Sequence, residues 1–79
     1  MGFYVRIVKT AEDENSATYR FEDSFAAAGT LRFSKRDATA SLLTPMPGDD
    51  KEHHFVRAAA KLRKEWAAGR MPELTEWAS

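Results

Sequence analysis

Carboxylates and imidazoles crowd one stretch of this chain, Asp49-Asp50-Lys51-Glu52-His53-His54. Both groups ligate metals and both move protons. If the stretch is helical, Asp49 with His53, or Asp50 with His54, stand four residues apart on one side. Either pair then presents two ligands together. A zinc site takes three or four, and the remainder would have to come from a distant acid. Aspartates at this place also serve a plainer purpose, because a helix start leaves N–H groups that a carboxylate accepts. Capping is therefore the expected role, with no metal and no cofactor.

Other chemistry is weakly signalled. Glu12-Asp13-Glu14 lacks the spaced oxygen ligands and turn glycine of a calcium loop. Ser16, Ser24, Ser34 and Ser41 sit in no nucleophile-elbow pattern, and no glycine-rich phosphate loop occurs. Paired-carboxylate catalysis needs two acids in one cleft with separated pKa values, and nothing in the pattern shapes a cleft. The chain is not expected to be an enzyme.

Elements must position whatever binds. Phe3 to Val8 alternates with period two, which puts Phe3, Val5 and Ile7 on one face and Tyr4, Arg6 and Val8 on the other. The same rule turns Tyr19 and Phe21 inward in a second strand, and Leu31 and Phe33 in a third. Strands are expected at about 3–9, 17–22, 30–34 and 38–44, with a short helical turn through 25–28 ended by Gly29. Leu42 and Leu43 of the fourth strand cannot both face the core. Pro45-Met46-Pro47-Gly48 stops that strand. A helix follows over about 50–68, with Gly69 just past its end. The tail, 70–79, is expected to form one more turn with Leu74 and Trp77 on a shared side, Trp77 serving as a core plug. Short connections favour an α+β fold, a four-stranded antiparallel β-meander with one C-terminal amphipathic helix packed on one face.

At about 100° per residue, Phe55, Ala59, Leu62 and Trp66 fall within roughly 60° of one another and form a core stripe. Opposite them lie Arg57, Lys61 and Lys64, with His54 alongside. This basic side suits phosphates, but any helix packed on a sheet needs a polar back. It is the alternative surface, for nucleic acid.

Composition bounds these readings. Seventy-nine residues make one small domain, and 43% of them are apolar. Without cysteine there is no disulfide to support the core. Twelve basic residues balance twelve acidic ones, which argues against a protein that coats DNA. No apolar run is long enough to span a membrane, and a cytoplasmic location is the expectation.

The alternation leaves Arg6, Arg20 and Arg32 on the outer sheet face, each on a different strand, with Tyr4 on the same face. Guanidinium and phenol groups are enriched at protein interfaces. The other reading is an ordinary polar exterior, with Glu22 pairing across strands. The fourth strand, Ala38 to Thr44, carries no charge. At a sheet edge it would template a homodimer or a peptide strand. The expected function is a small non-enzymatic protein-binding module of inhibitor, immunity or adaptor type.

Overall fold

The structure, a computed structural model, describes residues 3–78. Its elements run β1 (Tyr4–Glu12), β2 (Ser16–Glu22), β3 (Ala28–Ser34), β4 (Thr39–Thr44), α1 (His53–Ala67) and β5 (Leu74–Ala78). All five strands join one open sheet in the order β4-β3-β2-β1-β5, and every neighbouring pair is antiparallel. The fold is α+β, as the patterning predicts, with five strands where the sequence suggested four.

The fifth strand corrects the reading of the tail. Leu74 and Trp77 do not share a side of a turn. Val8 pairs with Leu74 and Val5 with Trp77, so Trp77 faces the core while Leu74 faces outward and is 55% exposed. The reason lies in β1. An apolar strand whose second edge lacks partners leaves a row of N–H and C=O groups unmatched, and the returning tail pairs with it.

The β2–β3 connection differs as well. No helical turn forms there. The Asp23 carboxylate accepts from the N–H groups of Phe25 at 2.8 Å and Ala27 at 3.0 Å, and Ala26 adopts φ 67°. Gly29 does not end a helix; it belongs to β3. A Cβ there would lie 2.6 Å from the Phe21 ring and 2.6 Å from the Thr44 carbonyl oxygen. Glycine is what lets these strands and that ring close together.

Val5, Ile7, Ala17, Tyr19, Phe21, Leu31 and Phe33 form the inner face, each at most 1% exposed. Helix α1 seals it with Ala58, Ala59 and Leu62. The expected stripe is thus rotated. Ala58 lies fully buried, whereas Phe55 and Trp66 are half-buried on one flank. Two adjacent alanines bring the helix axis close to the sheet, and the rings wedge in beside it. Phe55 tilts against Phe21 at 6.1 Å, and Trp66 Nε1 donates to the Lys35 carbonyl at 3.2 Å.

The helix spans 53–67, within the expected 50–68. Glu52, at φ 58°, is left-handed and delays its start. Its end follows the glycine rule. Gly69, at φ 82°, donates to the Trp66 carbonyl and Arg70 to the Glu65 carbonyl, a Schellman closure.

Beyond that end, a polar clasp ties the returning chain to the sheet. Tyr19 Oη donates to the Pro72 carbonyl at 2.6 Å. Lys9 Nζ donates to the Met71 carbonyl at 2.8 Å, reaches Glu73 at 3.0 Å and bonds Glu12. Glu12 also meets Lys35 at 2.6 Å. An irregularity in β1 between Lys9 and Ala11 brings Glu12 opposite the inward Ala17, on the same face as Lys9.

Two outcomes follow from this packing. Replacing Gly29 with alanine should cost about 1–3 kcal/mol, the range for overpacking, read as a lower urea midpoint with unchanged slope; an unaltered midpoint would contradict the close approach. The clasp should loosen in alkali. Burial pushes the Tyr19 hydroxyl from 10.0 up to about 12, so the unfolded chain releases that proton first and stability falls as pH climbs from 10 toward 12. Lys9, raised above its ordinary 10.5 chiefly by its bond to Glu12, acts in the same direction. Its contribution is complete below 10.5 and fades as pH rises through the folded value. Ultraviolet titration should show a tyrosine ionising near 12, and Tyr19→Phe should abolish that step.

Candidate partner-binding surface

The sheet's outer face carries no covering layer among the described residues. Register fixes its rows. Glu76, Arg6 and Glu22 lie abreast across β5, β1 and β2; Leu74, Val8, Arg20 and Thr30 form the next row; Thr18, Arg32 and Ser41 form another. Arg6, Arg20 and Arg32 therefore all emerge on the outer face and are exposed, as the alternation predicts, while Tyr4 is half-buried at the start of β1.

Their electrostatic situations differ. Glu22 binds Arg6 at 2.9 Å and Arg20 at 3.3 Å, and its own side chain is only 14% exposed. One carboxylate thus serves two guanidiniums. Both arginines remain about half exposed, and such surface pairs are worth at most about 1 kcal/mol. Arg32 enters no ion pair among the described residues. It borders a hollow of about 320 Å³ shared with Ala11, Glu12, Asp13, Ser16 and Thr18. The acids there are already engaged. Asp13 accepts from the N–H groups of Asn15 and Ser16, each at 2.8 Å, and these bonds hold its pKa below the ordinary value. Glu12 is held low by Lys35 and Lys9.

Of the three bases expected on the helix back, only Lys64 is exposed. Arg57 lies over the Phe3 ring at 3.9 Å and donates to the His53 carbonyl. Lys61 reaches Glu65 at 3.4 Å. Both are half-buried on the flank beside β5, where Lys61 and the exposed Lys64 border a hollow with Glu76, Trp77 and Ala78. The solvent side is His53, Val56, Arg63, Lys64 and Ala67. The rotation that brings Ala58 onto the sheet accounts for this shift.

His54 is likewise occupied. Its backbone N–H and that of Phe55 donate to the Asp49 carboxylate, at 3.1 and 3.3 Å, and its Nδ1 lies 3.0 Å from the same group. The Asp49 side chain is only 6% exposed. Burial works to raise its pKa, but the bonds from His54 and Phe55 prevail and lower it. An ionised carboxylate only accepts, so Nδ1 carries the proton. The ring also stacks on Phe3 at 4.6 Å. Asp49 pairs with His54, five residues on, and neither four-residue pair predicted from spacing forms. Among the described residues no group of three or more potential ligands gathers.

Sequence reasoning passed over Lys9 and Glu12. The signal for Lys9 was present, since it continues the inward series of Phe3, Val5 and Ile7. Glu12 needs the strand irregularity, which no pattern announced. No family model, curated protein or solved structure matches this chain.

Asp49→Ala should cost about 1 kcal/mol by stripping the helix start of its acceptor. In the wild type that contribution is complete above the ordinary value of 3.8 and lost as pH falls through the lower folded value. Acid unfolding monitored by circular dichroism should therefore lose part of its pH dependence in the variant. Identical acid profiles would remove Asp49 from the capping role.

Proposed function

We propose that this chain is a small non-enzymatic binding module that docks another protein on the outer face of its sheet. It works by occupying or bridging surfaces, in the manner of an inhibitor, immunity protein or adaptor. The observation that carries the reading is the guanidinium of Arg32, which enters no ion pair among the described residues and stands beside an open hollow, on a face where two further arginines share a single carboxylate.

Several features support a protein partner. The face mixes cations with Tyr4, Val8 and the exposed Leu74, so apolar contact and directed hydrogen bonds are available together. Arg6, Arg20 and Arg32 outnumber Glu22 and Glu76, which suits a partner presenting acidic side chains. Guanidinium forks bind carboxylates bidentately, and Arg32 has its donors to spare. The helix supports nucleic acid less well, because Arg57 and Lys61 are engaged within the molecule.

The test compares two triple variants as baits in the native host. Arg6→Gln with Arg20→Gln and Arg32→Gln should weaken partner binding by about tenfold or more. Arg57→Gln with Lys61→Gln and Lys64→Gln should leave it intact. Partner retention by the sheet variant would overturn the reading. Salt-sensitive retention on nucleic acid, lost in the helix variant, would replace it with the nucleic-acid alternative.

A further inference from the structure

We infer that β4 is a self-association edge, through which two copies join antiparallel about a two-fold axis at Ser41. This goes beyond the outer-face reading and does not depend on it.

The strand occupies one end of the sheet order, so one side of its backbone has no strand partner among the described residues. Natural edges are usually guarded by charge, proline or a covering segment. Thr39-Ala40-Ser41-Leu42-Leu43-Thr44 contains neither charge nor proline. The opposite edge differs, since β5 carries Glu76 and follows directly on Glu73.

A second copy fits for two reasons. A two-fold axis perpendicular to the sheet keeps inner faces aligned, so facing residues must share parity. Centring on Ser41 sets Ala40 opposite the partner's Leu42, small against large, twice over. Both residues point inward, pack on the core cluster and stay only half-buried, so the core is incompletely covered at this edge. The second is that self-pairing of an uncharged strand meets no like-charge repulsion across the axis.

The β4 register also sets a limit. Thr30 pairs with Thr44 but Leu31 with Leu42, so Leu43 is an extra residue that ends regular pairing. The shared ladder is short, and the interface belongs to the small class below about 1,200 Å². The dimer is therefore concentration-dependent.

The chain's lack of cysteine makes a direct test available. Ser41→Cys supplies a single thiol, and directly facing residues of an antiparallel ladder bring Cα atoms to about 4.5–5.5 Å, within disulfide reach. Mild oxidation should convert Ser41→Cys to a covalent dimer at least about tenfold faster than Ser24→Cys, on the β2–β3 turn. Sedimentation of the wild-type chain should rise from a mass near 8.9 kDa toward twice that with concentration. Ser41→Lys should raise the dissociation constant by about tenfold or more, with its circular dichroism unchanged. A wild-type chain that stays monomeric at millimolar concentration would overturn the proposal. So would a dimer indifferent to Ser41→Lys, or equal crosslinking at the two cysteine positions. The arginine variants of the outer face should dimerise normally, which keeps the two readings separable.

Discussion

One helix must seal five strands, and it does so by sitting close. Ala58 and Ala59 provide the near approach, Leu62 fills the centre, and Phe55 and Trp66 close the side toward β3 and β4. A domain of this length has little surplus stability and no disulfide. Its inner face therefore takes most of the aromatic and branched side chains, with Tyr19, Phe21 and Phe33 among the largest fully buried. No second layer remains to cover the other face. The same allocation that holds the fold together leaves three arginines in water.

Closing the sheet required one costly step, the return of the chain from the helix to pair with β1. The Schellman closure at Gly69 reverses the direction. The clasp of Lys9, Tyr19, Glu12 and Glu73 then holds the segment 71–73 against the strands. An ammonium as enclosed as that of Lys9 needs oxygen partners, because an unpaired buried cation is far more costly than a paired one. It has two carboxylates and a carbonyl. That pairing sets β5 in register, and β5 in turn places Leu74 beside Val8 and Glu76 beside Arg6. The inner-face clasp thus shapes the outer face that a partner would meet.

The outer face is uneven in charge. Glu22 steadies Arg6 and Arg20, orienting two forks at small energetic gain. Arg32 enters no ion pair among the described residues and lies one strand from the uncharged β4 edge. In the two proposals face and edge bind differently, one by directed electrostatics, the other as a backbone template. They lie on adjacent strands, so a partner on the face and a second copy at the edge would be neighbours.

Much of this was legible in the residues. Period-two alternation put Val5, Ile7, Tyr19, Phe21, Leu31 and Phe33 inward and three arginines outward, because side chains on a strand can point only two ways. Gly69 marked the helix end, since its left-handed backbone suits glycine. Pairing partners were a different matter. That 74–78 is a strand, that Leu43 is an extra residue, that Gly29 serves a close approach and that Glu12 turns inward all depend on which backbone groups meet from distant parts of the chain. Helix rotation belongs with these, for alanine satisfies either face of a helix until a sheet is placed against it. Local spacing alone determined which way the residues of the first three strands point where their pairing is regular; which strands are neighbours, and how near the helix comes, was decided only when the whole chain competed for the same hydrogen bonds and the same apolar surface.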